Sequence, residues 1–150
     1  MQLLIRHCEK LLASHEGFLD KESCASLRGK LGIMYYYADS VSYKDAKRVL
    51  EGNLAELKKT HVLPHKNILS DITYLGRIYY RLGEKEKLFN LIDYINTHHK
   101  DRVCKKTKEA AAALAFLGNV YSCYGRYEEA KESLEKSAYL YQEYFPNEYS

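Results

Sequence analysis

The sequence predicts an all-α fold: an α-solenoid of antiparallel helix pairs with about seven helices. Three observations carry that expectation. Chain punctuation is sparse, a short motif recurs at a nearly constant interval, and the apolar residues around each copy fall at helical spacing. Only 2 Pro and 8 Gly occur in 150 residues, too few for the many turns of a β-sandwich or barrel. With 46% hydrophobic and 29% charged residues, the chain can bury a core and is not compositionally disordered. Its length suits one domain.

The recurring motif is Leu-Gly followed by a tyrosine: Leu31-Gly32-Ile33-Met34-Tyr35, Leu75-Gly76-Arg77-Ile78-Tyr79 and Leu117-Gly118-Asn119-Val120-Tyr121. The copies start 44 and 42 residues apart, and such a period marks a repeat architecture. Positions downstream hold the register. From Tyr121 the chain reaches Gly125, Ala130 and Leu134; the same steps from Tyr79 reach Gly83, Leu88 and Ile92. From Tyr35, Ala46 and Leu50 arrive two residues late, which places a two-residue insertion in Asp39-Ser40-Val41-Ser42.

Each repeat reads as two helices. In the first, residues such as Leu114, Leu117, Gly118 and Tyr121 recur at i, i+3, i+4 and i+7 along one face. The turns are Leu82-Gly83-Glu84-Lys85 and Tyr124-Gly125-Arg126-Tyr127, where glycine suits the positive φ of a helix C-terminus. In the second helix, Ala130, Leu134, Ser137, Tyr141 and Phe145 form a stripe. Gly118 and Ala130 mark the closest approach of the pair. A mid-helix glycine costs about 1 kcal/mol against alanine, so three at one register require a packing reason. The N-terminal segment Leu3 to His15 carries Leu4, Cys8, Leu11, Leu12 and Phe18 on one side. Leu4 lies 42 residues before Ala46, so this segment matches a second helix without its partner. The expected parts are 1–18 (that half-repeat), 19–62, 63–102 and 103–150, with connections at Gly17–Lys21, Val62–His65 and His99–Arg102. The tail from Phe145 to Ser150 reads as a connection onward, so the chain is expected to be part of a longer array.

Little chemistry is encoded beyond this. The net charge of +3 is mild, and nucleic acid is not an expected partner. A basic run, Lys100, Arg102, Lys105, Lys106 and Lys108, is expected to open the first helix of the third repeat. Asp101 and Glu109 dilute it, so it reads as a solvated face. Cys8, Cys24, Cys104 and Cys123 form no C-x-x-C pair and read as reduced, partly buried small apolar residues; Cys123 lies on the expected groove side. The N-terminus lacks the basic segment and long apolar core of a signal peptide. The longest apolar run, Ala110 to Leu117, falls far short of the roughly 20 residues of a membrane helix. A cytoplasmic location is therefore expected. His61 and His65 have i, i+4 spacing, but Pro64 breaks a helix there. His98 and His99 with Cys104 do not complete a ligand set. No metal, cofactor or enzymatic activity is expected, because no catalytic signature occurs.

The pattern L-G-x-x-Y, then alanine nine residues on and a large apolar residue four further, resembles the tetratricopeptide repeat (TPR). The third repeat matches best through Leu114, Leu117, Gly118, Tyr121, Ala130 and Leu134; the second has Leu88 where the family prefers alanine. The usual repeat is 34 residues. A period of 42 is similar to the kinesin light chain type and to sensor arrays attached to signalling ATPases. The resemblance implies a right-handed superhelix with first helices lining a concave groove, a role in binding peptides or proteins, and no catalysis. Groove positions follow two and five residues after the motif leucine: Ile33 and Tyr36, Arg77 and Tyr80, Asn119 and Ser122. Thr73 and Ala115 lie a turn earlier, and Arg81 adjoins Tyr80. The expected peptide-binding set is Tyr36, Thr73, Arg77, Tyr80, Arg81 and Asn119. Arg can fork onto a carboxylate, Asn can pair with a peptide backbone, and Tyr offers rigid contact area. The set lacks the Lys and Asn pattern with which some family members clamp a C-terminal carboxylate. The same residues also read as a solvated helix face. A rival role is a structural or sensor segment acting through its ends, where Leu134, Tyr141, Tyr144 and Phe145 would mediate end-on stacking or self-association.

Overall fold

The structure, a computed structural model, describes residues 1–15, 17, 19–38, 43–60 and 67–149. Among the described residues no strand occurs. The described residues form seven helices of 14 to 18 residues: α1 (Gln2–His15), α2 (Lys21–Ala38), α3 (Tyr43–Thr60), α4 (Ile68–Leu82), α5 (Lys85–His98), α7 (Lys108–Cys123) and α8 (Tyr127–Tyr144). Two single turns, α6 (Lys100–Val103) and α9 (Pro146–Tyr149), follow α5 and α8. The insertion at 39–42, Phe18, the 62–65 connection and the His61/His65 pair lie outside the described residues. The chain divides into two compact units, Met1–Lys85 and Glu86–Ser150.

In the first unit α2 packs on α1, α3 and α4, and α3 also meets α4. Its core gathers the apolar faces that periodicity marks, including Leu31, Leu50, Ile72, Leu75 and Ile78, each at most 5% exposed. Burying each such side chain stabilises by about 1.5–3 kcal/mol. In the second unit α7 and α8 form an antiparallel hairpin. A Cβ on Gly118 would stand 2.5 Å from Leu134 Cγ and 3.2 Å from the Ala130 carbonyl oxygen. Gly32 meets Leu50 at 2.6 Å in the same way. A side chain at either position would force the helix or the facing leucine to shift, and this is the packing reason for a costly mid-helix glycine.

The turn glycines act as expected. Gly83 and Gly125 have φ of 71° and 75°. In each turn the next residue's N–H closes back on the motif tyrosine's carbonyl, Glu84 to Tyr79 at 2.9 Å and Arg126 to Tyr121 at 2.8 Å. That satisfies carbonyls a helix end leaves orphaned.

Two features depart from expectation. Of the basic run only Lys108 opens a long helix. Lys100 and Arg102 lie on α6, and α7 starts only after Thr107, whose hydroxyl accepts the Ala110 N–H at 3.1 Å. The cysteines also split: Cys24 is buried and Cys8 half-buried, but Cys104 and Cys123 are exposed. Cys104 lies in the connection after α6, and Cys123 ends α7 beside its turn. No disulfide joins them among the described residues. No helix among the described residues is long and apolar enough to cross a membrane.

Candidate functional site

The motif tyrosines form one structural series. Each phenol meets the second helix of the preceding repeat. Tyr35 donates to Glu9 on α1, Tyr79 donates to Glu51 on α3 at 2.7 Å, and Tyr121 accepts from Asn96 on α5 at 3.2 Å. Burial and the carboxylate partner push Tyr35 up to about 12 and hold Tyr79 well above the ordinary phenol range. A second series joins the helices of one hairpin: Asn53 Nδ2 donates to the Ala25 carbonyl at 2.9 Å, and Ser137 Oγ to the Ala111 carbonyl at 2.8 Å. These residues are structural and leave little for a ligand.

What remains is a tyrosine–arginine cluster on the first unit. Tyr74, Arg77 and Arg81 sit at i, i+3 and i+7 on α4, opposite the face that buries Ile72, Leu75 and Tyr79. The last turn of α2 brings Tyr36 and Tyr37, and the first residue of α3 brings Tyr43. Tyr36 stacks on Tyr43 with ring centroids 5.3 Å apart and meets Tyr37 and Tyr74 edge-on at 5.2 and 5.1 Å. The Tyr37 and Tyr74 hydroxyls are 2.5 Å apart. Burial, reinforced by that contact, pushes Tyr74 up to about 12. Arg77 lies 4.9 Å above the Tyr74 ring; Arg81 lies 5.5 Å from the Tyr43 centroid and 6.0 Å from that of Tyr36. Hydrogen bonding to the Tyr36 and Tyr43 hydroxyls raises the Arg81 guanidinium further above its ordinary range. Among the described residues neither guanidinium has a carboxylate partner. Tyr37 and Tyr80 keep 58% and 47% of their surface in solvent.

Of the six residues expected in the groove, Tyr36, Arg77 and Arg81 thus come together, and Tyr80 is exposed on the same helix. Thr73 does not join them. It is 3% exposed, and its hydroxyl donates to the Leu69 carbonyl at 2.7 Å, so it faces the packed side of α4. Asn119 is exposed on α7 of the second unit. Register counting omits Tyr43 and Tyr74. Tyr74 was findable, since it precedes Arg77 by three residues on a helix; Tyr43 reaches the cluster through a tertiary approach of α3. Among the described residues no three His, Cys, Asp or Glu side chains converge as metal ligands would.

No protein-family model matches the chain, and no curated protein does. Solved structures do. A Podosopora anserina protein named as a kinesin light chain, with nearly identical TPR-like repeats, superposes with a TM-score of 0.62 at 22% identity. A single-substitution variant of it gives 0.65 at 22%. Both alignments cover 93% of this chain and 66% of the other, so the chain spans just under two thirds of those proteins. At that identity the likeness is one of fold, and the fold is a TPR-like helical repeat.

Proposed function

We propose that this TPR-like repeat chain is a non-catalytic protein-interaction module whose first unit takes an extended acidic segment of a partner. The observation that carries this reading is the pair of guanidiniums at Arg77 and Arg81, seated on tyrosine rings and lacking carboxylates of their own among the described residues. Stacking fixes an arginine's direction before a ligand arrives, so less side-chain entropy is lost on binding. Its fork can then donate two parallel N–H bonds to a carboxylate. Tyr37 and Tyr80 add exposed aromatic area of the kind that dominates binding energy. Asn119, exposed on the second unit, is proposed separately as a partner for a peptide backbone.

An array of short peptides, acidic and neutral at matched hydropathy, tests it. The intact chain should retain acidic peptides, and Arg77→Glu with Arg81→Glu should weaken that retention by about tenfold or more while leaving the helical signal unchanged. Equal retention of neutral peptides, or binding that survives both reversals, refutes the assignment.

A second reading has its own observation. On α8, Tyr139, Tyr144 and Leu134 keep 56%, 38% and 37% exposure, an apolar surface suited to end-on contact with further repeats or a second copy. Light scattering that finds a strict monomer at high concentration removes self-association from this reading.

A further inference from the structure

The second unit holds a cleft of about 490 Å³, within the size range of small-ligand sites. Its floor is apolar: Val103 from α6, Leu114 and Leu117 from α7, and Leu140 from α8. Its rim carries Lys100, Lys106 and Lys136 against Glu129 and Glu132. The two carboxylates are already engaged within their own helix neighbourhood. Glu129 accepts the Arg126 guanidinium fork, and Glu132 accepts Lys136 Nζ at 2.6 Å. Lys100 and Lys106 have no carboxylate partner among the described residues; Lys106 Nζ rests 5.0 Å above the Tyr144 ring. The cleft lining therefore keeps two lysines without carboxylate partners among the described residues. Lys100 comes from the α6 turn, which the sequence periodicity does not announce, and Lys106 from the connection that follows it.

We propose that this cleft binds a small amphiphilic carboxylate, with an acyl chain along the leucine floor and its anionic head at Lys100 and Lys106. The wall chemistry favours an acyl chain over an extended peptide. The cleft is built on helices, whose backbone N–H and C=O groups are bonded internally. A buried extended peptide would leave its own amides unsatisfied, whereas an acyl chain has none. The site is independent of the tyrosine–arginine cluster.

Cys104 lines the cleft, and Cys123 is exposed in the same unit without lining it. The two thiols make an internal comparison. The intact chain is treated with iodoacetamide in the presence of monomeric dodecanoate, and alkylation at each cysteine is followed by mass spectrometry. Dodecanoate should slow modification of Cys104 and leave Cys123 unchanged. Hexanoate should require concentrations more than about tenfold higher, because each buried methylene adds to affinity. Dodecyltrimethylammonium should not protect. Lys100→Ala and Lys106→Ala should each weaken protection by about two- to fivefold, the range of an exposed ion pair. Equal slowing at both cysteines, no slowing at Cys104, protection by the cationic amphiphile, or stronger protection by a capped apolar peptide would each overturn the proposal.

Discussion

Gly118→Ala isolates the contact that lets one helix pair nest. Alanine gains about 0.8–1.0 kcal/mol of helix propensity over glycine. Against that, the new Cβ would lie 2.5 Å from Leu134 Cγ and 2.8 Å from its Cδ2. These atoms belong to the branch of the side chain, so the helix or the rotamer must shift, and overpacking of this kind costs about 1–3 kcal/mol. The Ala130 carbonyl at 3.2 Å restricts the direction of relief. The net expectation is a loss of up to about 2 kcal/mol. In a Leu134→Ala background most of the overlap is gone, and the same substitution should fall within about 0.5 kcal/mol of neutral, a coupling that a double-mutant cycle reads directly. Gly52 supplies the reference: it lies in α3 with nothing within 4 Å of an added Cβ. Gly52→Ala should stabilise by about 0.8–1.0 kcal/mol. Urea unfolding followed by far-ultraviolet circular dichroism measures all four variants. A stabilising Gly118→Ala in both backgrounds, indistinguishable from Gly52→Ala, refutes the nesting argument.

Three further outcomes follow from the same contacts. Leu117 is 3% exposed, and Leu117→Ala should cost about 2–5 kcal/mol in urea unfolding, towards the lower end because the residue borders the open cleft. Ser137→Ala removes the buried hydroxyl that clasps α8 to α7 and should cost about 0.5–1.5 kcal/mol by the same assay. Tyr35, Tyr74 and Tyr79 are raised above the ordinary phenol range by burial first and hydrogen bonding second. The unfolded chain releases those protons near pH 10 while the folded chain holds them, so stability is full below about pH 10 and falls as pH rises towards 12. Tyrosinate absorbance should show a late group of phenols that ionises together with loss of helix, and Tyr79→Phe should shrink that group.

The architecture was legible because it rests on small residues at fixed intervals. Gly118 and Gly32 sit where the pairs touch, and Gly83 and Gly125 sit where the chain reverses. The clasp between the helices of a hairpin also recurs at matching register. Asn53 reaches back 28 residues to Ala25, whereas Ser137 reaches back 26 to Ala111. The α6 turn was not legible, since a charged stretch such as Lys100 to Lys106 carries no apolar period, although Thr107 ahead of an apolar run is a fair helix-start signal. The candidate site was half legible. Register placed Tyr36, Arg77 and Arg81 on one surface. It misassigned Thr73, whose hydroxyl bonds back to its own helix, because a residue beside a face boundary is decided by tertiary packing. Tyr43 belongs to the cluster only through the way α3 meets α2 and α4, a long-range contact that no local pattern reports.

Chemical-shift mapping of the isotope-labelled chain, titrated with an acidic peptide of alternating Glu and Leu, tests the functional account most directly. Saturable shifts concentrated at Tyr36, Tyr37, Tyr74, Arg77 and Arg81, and abolished by Arg77→Glu with Arg81→Glu, are the predicted result. Shifts that scatter over the surface, or that persist unchanged in the double variant, would contradict it.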